Sequence, residues 1–142
     1  MEQTNFISEN EEETIKLGKS FAKILNKGDI LCLEGNLGSG KTTFVRGVAQ
    51  GLGISQKVVH SPTFTLMNVY ENKKISLFHF DLYRVEKIEQ IFSLDYQDFF
   101  YGKGISVIEW AEKLGPLMPK KYWEIRFRHI QEYQRQITIK KY

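Results

Sequence analysis

Cysteine is almost missing from this sequence: Cys32 is the single one in 142 residues. One thiol excludes an internal disulfide framework and any cysteine-built zinc site, and it fits a reducing compartment. Proline is scarce as well, at 3 residues. No Pro/Gly/Ser-rich linker, low-complexity tract or internal repeat divides the chain, so residues 1–142 are expected to form one domain. No apolar run approaches the roughly 18 residues that a membrane span needs. Met1-Glu2-Gln3-Thr4-Asn5 carries neither the basic nor the apolar stretch of a signal peptide. These absences predict a cytoplasmic protein with no membrane partner. The histidines His60, His79 and His129 are dispersed, without C-x-x-C or H-x-x-x-H spacing, so no zinc is expected. What remains is ordinary: 42% hydrophobic and 26% charged residues exclude wholesale disorder. The net charge of +3 hides an asymmetry. Residues 1–112 carry 12 basic against 15 acidic groups, a net of −3, whereas residues 113–142 carry 8 against 2, a net of +6. A basic tail of that kind can signal an anionic partner.

Periodicity predicts an α/β fold. Ser8-Glu9-Asn10-Glu11 has capping-box spacing, and Leu17, Phe21, Ile24 and Leu25 recur at helical intervals, giving a helix near 11–26 closed by Gly28. Ile30-Leu31-Cys32-Leu33 reads as a strand covered on both faces, with Cys32 as inert packing. A second helix follows near 41–52, with Phe44, Val45, Val48 and Leu52 inward and Gly51 and Gly53 at its end. Residues 63–71 and 75–81 read as a β-hairpin, 86–100 as a weaker helical stretch, and 105–110 as another strand. In the tail, Trp123, Ile125 and Phe127 alternate with Tyr122, Arg126 and Arg128, and Ile137 and Ile139 can pair against the apolar set. The expected architecture is one P-loop NTPase-like domain, a mixed parallel and antiparallel sheet flanked by helices.

Between the first strand and the second helix, Gly35-Asn36-Leu37-Gly38-Ser39-Gly40-Lys41-Thr42 fits G-x-x-x-x-G-K-[ST] without a mismatch. Each fixed position has a chemical reason. Glycines let the backbone wrap and aim successive N–H groups at phosphate oxygens. The helix N-terminus adds its positive end, Lys41 reaches the β- and γ-phosphates, and the Thr42 hydroxyl coordinates Mg²⁺. Hydrolysis also needs an acid on the metal and a residue that places water. Asp81 and Glu109 both close apolar strands, and either can serve as the metal-side acid. His79 shares a strand face with Asp81 and could orient it. Ser61-Pro62-Thr63 follows the P-loop helix, where a switch hydroxyl would sense the γ-phosphate; an ordinary proline turn is the competing reading. Trp110 can line the nucleotide site, dock a partner or pack in the core. Asn26-Lys27-Gly28-Asp29 matches a guanine-reading string, but it precedes the loop and is explained as a helix-to-strand turn, so GTP specificity is rejected.

Taken in order, these motifs resemble the TsaE family of small bacterial P-loop ATPases. The resemblance rests on Glu13-Thr14 with Leu17-Gly18, the loop through Thr43-Phe44 with Arg46-Gly47, and Ser61-Pro62-Thr63-Phe64-Thr65-Leu66. It continues through His79-Phe80-Asp81-Leu82-Tyr83-Arg84 and Val107-Ile108-Glu109-Trp110. It weakens in the C-terminal third, apart from Arg135, and Asn36 stands where the family often has Asp. The resemblance implies ATP as substrate, Mg²⁺ as cofactor, and action with a TsaB–TsaD pair in making N6-threonylcarbamoyladenosine (t6A) in tRNA. Hydrolysis would reset that complex between turnovers, with tRNA met only indirectly. By residue-wise transfer, Lys41, Asp81 and Glu109 are catalytic, and Thr42, Asp81 and Glu109 serve the metal. Thr14, Gly38, Ser39, Gly40, Lys41, Thr42, Thr43, Trp110 and Arg135 bind nucleotide, and Ser61 and Thr63 form the switch. A P-loop kinase for a small metabolite and a nucleotide-dependent binding module are the competing functions. The basic outward positions of the tail are explained equally well as protection of edge strands against aggregation.

Overall fold

A computed structural model describes residues 3–36 and 38–142. Met1 and Glu2, and Leu37 of the phosphate-loop string, lie outside the described residues. Among the described residues no helix is long and apolar enough to cross a membrane.

The strands are β1 (Gln3–Ser8), β2 (Ile30–Glu34), β3 (Met67–Glu71), β4 (Ser76–Asp81), β5 (Ile105–Glu109), β6 (Trp123–His129) and β7 (Arg135–Lys141). They form one sheet in the order β1-β7-β6-β2-β5-β4-β3. The centre is parallel: β2 pairs with both β5 and β6, and β4 pairs with β5. The margins are antiparallel: the β3–β4 hairpin on one side, and on the other the β6–β7 hairpin with β1 added beside β7. The mixed sheet expected from the sequence is therefore present.

Central strands must be apolar on both faces, and β2 meets that demand by alternation. Leu31 and Leu33 face one core with Phe44, Val45, Val48 and Ile125, while Ile30 and Cys32 face the other with Phe80, Ile91, Phe100 and Leu114. Burial, followed by nearby carboxylates led by Glu34, pushes the Cys32 thiol well above its ordinary value, which keeps it protonated and unreactive. The first core is covered by α1 (Glu11–Ala22) and α2 (Lys41–Gly51), the second by the short helices α3 (Ile88–Phe92) and α4 (Tyr96–Phe100).

Several boundaries differ from the sequence expectations, each for a local reason. The first helix ends at Ala22 instead of 26, because Lys23, Ile24 and Leu25 bond back to the carbonyls three residues earlier and tighten into a 3₁₀-type turn. Its cap is Asn10, whose side chain accepts the Glu13 N–H at 2.9 Å while Glu13 accepts the Glu9 N–H at 2.7 Å. Ser8, the expected cap, instead lies 2.7 Å from the Thr14 hydroxyl. The hairpin begins at Met67, not 63, because Leu66 N–H closes a turn on the Pro62 carbonyl at 2.7 Å with Leu66 at φ 70°. The 86–100 stretch is two helices, broken where Asp95 adopts φ 53°. Strand β1 was not anticipated: five of its six residues are exposed, so burial imposes no alternation on it.

α1 and α2 approach closely because each carries a glycine at the crossing. A Cβ on Gly18 would drive into the Phe44 carbonyl, and one on Gly47 into the Ile15 carbonyl. Because this crossing fixes the helix that follows the phosphate loop, Gly47→Ala is expected to cost about 2 kcal/mol net, overpacking outweighing the better helix propensity of alanine. Urea unfolding of the variant against wild type measures it.

Candidate active site

The three parallel strands β2, β5 and β4 release their functional residues at one edge of the sheet. β2 runs into the loop that leads to α2, and the last residues of β4 and β5 are register partners, Asp81 beside Glu109. A cleft of about 460 Å³ opens there. The residues read from the sequence as catalytic, nucleotide-binding, metal-side or switch residues line it, whereas His79 is buried behind it. Gly38, Ser39, Gly40, Lys41, Thr42 and Thr43 come from the loop and the start of α2. Ser61 and Thr63 come from the connection that follows α2, Asp81, Glu109 and Trp110 from the strand ends. Thr14 of α1 and Arg135 of β7 complete the set. Asn10, Glu11, Glu132 and Tyr133 also line the cleft and were not anticipated, since nothing in their sequence spacing connects them to the loop.

The loop has the backbone of a phosphate cradle. Gly38 and Gly40 stand at φ 74° and 102°, and α2 begins at Lys41 without any side-chain cap on its N–H groups. The Ser39 hydroxyl oxygen is buried without a hydrogen-bond partner, as is Nε of Arg135. The other end of the Arg135 guanidinium donates to the Gly38 carbonyl at 3.1 Å, which ties β7 to the loop. The Lys41 ammonium donates to the carbonyls of Gly35 and, at 3.0 Å, Asn36. It also sits 4.3 Å from the centre of the Trp110 ring.

The two acids differ in their partners. Glu109, 3% exposed, accepts from the Thr42 hydroxyl at 3.0 and 3.1 Å. It also meets Nε2 of His79 at 2.5 Å. Asp81, equally buried, accepts from the hydroxyls of Ser61 at 2.8 Å and Thr63 at 3.0 Å. His79 shares a strand face with Asp81 but touches Glu109 on the neighbouring strand, which corrects the expectation that it orients Asp81. Trp110 lines the cleft and packs its rim against the second core and Tyr83, whose ring centre is 5.1 Å away.

Electrostatics concentrates on Lys41. Burial pulls its ammonium below the ordinary lysine value, opposed by the negative charges of Glu109, Glu112 and Asp81. Burial raises the Glu112 carboxyl, and the neighbouring charge of Glu34 adds to it.

The family model for "Threonylcarbamoyl adenosine biosynthesis protein TsaE" matches residues 8–137. The chain belongs to the TsaE family. Curated TsaE proteins similar to it include that of Bacillus subtilis (strain 168), 38% identical over 98% of this chain and 86% of the relative. That of Treponema pallidum (strain Nichols) is 37% identical over 94% and 97%. That of Aquifex aeolicus (strain VF5) is 45% identical over 78% of each. The crystal structure of Bacillus subtilis YdiB superposes with a TM-score of 0.78 at 32% identity, covering 97% of this chain and 84% of that one. In this TsaE member the glycine-rich loop and both acids meet at one end of the seven-stranded sheet and line the same cleft.

The depressed Lys41 group has a stability consequence. Between its lowered folded-state value and the ordinary 10.5, the unfolded chain binds more protons at this site, so stability from this group rises with pH there. Lys41→Met, which removes the buried charge, is expected to unfold at an equal or higher urea concentration than wild type at pH 7. That difference should move in favour of wild type as the pH approaches 10.5. Urea midpoints of the two ligand-free proteins across that range measure it.

Proposed function

We propose that this TsaE-family protein binds ATP with Mg²⁺ and hydrolyses it in the service of tRNA t6A synthesis. The observation that carries the reading is the Thr42–Glu109 pair: a hydroxyl at the head of α2 and a strand-end carboxylate held within 3.1 Å, directly after the lysine of a phosphate loop. Mg²⁺ is bound through few protein oxygens, with phosphate oxygens and water filling its octahedron. The donor set fits that requirement. Among the described residues no group of three or more His, Cys, Asp or Glu could hold a metal ion alone, so Thr42 and Glu109 would share the ion with the nucleotide. When bound, the ion neutralises charge developing between the β- and γ-phosphates.

The chain's own groups divide the remaining work. Backbone N–H groups of Gly38 to Thr43 receive the phosphates, and the buried, unpartnered Ser39 hydroxyl adds a donor. Lys41 exchanges its loop carbonyls for β/γ-phosphate oxygens, where a partly desolvated ammonium acts strongly. Glu109 serves the metal side through Thr42. Asp81, tied to Ser61 and Thr63, serves the water side and joins it to the switch. Thr14 lines the remainder of the cleft and is assigned to the nucleoside end, while Trp110 beside the Lys41 ammonium and Arg135 on the Gly38 carbonyl stand nearer the phosphates. The transfer to tRNA is assigned to a TsaB–TsaD pair, and hydrolysis to resetting that complex.

Two variants test the reading. Lys41→Ala is expected to lose Mg·ATP binding by calorimetry. Glu109→Gln is expected to keep affinity within a few-fold while hydrolysis with TsaB–TsaD falls by ~10²-fold or more. Wild-type turnover in Glu109→Gln would refute the assignment. A new phosphorylated small molecule formed as ATP is consumed would replace it with a kinase, and sustained t6A synthesis by Glu109→Gln would favour a binding module.

A further inference from the structure

A glutamate's terminal torsion is broad and roughly two-fold, so a carboxylate does not set its own orientation. At Glu109 the orientation is set from behind. His79 is fully buried on the same sheet face, and its Nε2 meets the Glu109 carboxylate at 2.5 Å. Since that oxygen also accepts from the Thr42 hydroxyl, it is the acceptor and Nε2 carries the proton. The other ring nitrogen, Nδ1, lies 3.0 Å from the hydroxyl of Tyr70, which is 5% exposed on β3. The same hydroxyl is 3.0 Å from the carbonyl of His60 and accepts from the Asn68 amide at 3.3 Å. His60 immediately precedes Ser61-Pro62-Thr63, whose two hydroxyls hold Asp81.

The switch segment is thus bonded to both acids, to Asp81 directly and to Glu109 through Tyr70 and His79. A histidine buried only for packing needs partners for its two nitrogens, but any buried carbonyl and hydroxyl would satisfy it. Here one partner is the site acid, and the other is anchored on the backbone that carries the switch hydroxyls.

We propose that His79 and Tyr70 are positioning residues: the imidazole fixes the rotation of the Glu109 carboxylate, and Tyr70 ties that orientation to the switch segment, so that both acids are set together. The inference rests on the ATPase reading above. It requires no titration of either residue, only geometry.

Steady-state ATP hydrolysis with TsaB–TsaD, alongside calorimetric Mg·ATP binding, tests it on four variants. His79→Leu is expected to lose 10- to 100-fold in kcat, the scale at which supporting partners of site ligands act, with Kd for Mg·ATP changed less than about 3-fold. His79→Gln places its amide nitrogen near the position of Nε2, and His79→Asn near that of Nδ1. Gln is therefore expected to recover most of kcat and Asn little, a ranking that a purely structural role does not produce, and one that holds even if His79→Leu fails to fold. Tyr70→Phe, which keeps the ring, is expected to lower kcat several-fold at unchanged Kd. Wild-type kcat in both the Asn and Tyr70→Phe variants, or equal loss in Gln and Asn, overturns the proposal while leaving the ATPase reading intact. A wild-type protein that neither binds nor hydrolyses Mg·ATP overturns both.

Discussion

Three parallel strands that stop at one level set every distance in the site. β2 must be paired on both sides and buried on both faces, so its end is the most constrained point in the sheet. The chain leaves that end into the phosphate loop, and the register β2–β5–β4 then puts Glu109 beside Leu33 and Asp81 beside Glu109. Neither acid is placed by its own loop. Both inherit their positions from ladder hydrogen bonds of the core, which is why ligands of open α/β sheets collect at the carboxyl ends of the strands. The close α1–α2 crossing at Gly18 and Gly47 fixes the remaining degree of freedom, the helix that carries Lys41 and Thr42.

That placement has an electrostatic cost, and the distribution of partners shows how it is met. Two buried carboxylates and one buried ammonium share a cleft, yet no direct ion pair joins either carboxylate to the ammonium. The acids are satisfied by hydroxyls, an imidazole and backbone N–H, and the ammonium by carbonyls and an indole face. Neutral dipoles stabilise a buried charge without cancelling it, so each group keeps its attraction for a charged ligand. Mutual salt bridges would have been the simpler structural solution, but they would have left less charge for a ligand to meet. The lowered ammonium of Lys41 records the penalty that remains.

Legibility in the sequence followed burial and backbone demand. Residues 30–33 and 105–109 were readable as strands because two packed faces force an apolar run, and the phosphate loop because its glycines and Lys-Thr serve fixed backbone tasks. The cleft residues followed from the loop and from strand-end acids. β1 was not readable, since its pairing with β7 is a backbone ladder along an exposed edge that asks nothing of its side chains. The cap at Asn10 was misread as Ser8 because both spacings satisfy the same pattern, and only the contact with Thr14 decides where Ser8 turns. The partner of His79 was also hidden. Spacing along one strand points to Asp81, whereas cross-strand register, invisible in a single sequence, brings Glu109 within 2.5 Å.

The same distinction applies to the basic tail. Composition shows an excess of cations after residue 112, but not where their charge is spent. Arg126 is paired with Glu34 and Glu124, at 3.2 and 3.0 Å, and Arg135 is folded over the loop at Gly38. Lys113 donates to the carbonyls of Tyr83 and Val85, while Lys140 and Lys141 lie over the rings of Tyr142 and Trp123. Arg126, Arg135, Lys140 and Lys141 thus have partners within the β6–β7 margin and at the loop, and Lys113 ties down the segment after β4. Most of the cleft lining comes from residues before 113, and the basic part of the chain forms β6 and β7, which lie inside the sheet between β2 and the edge strand β1, so the expected protection of edge strands does not describe their place in it.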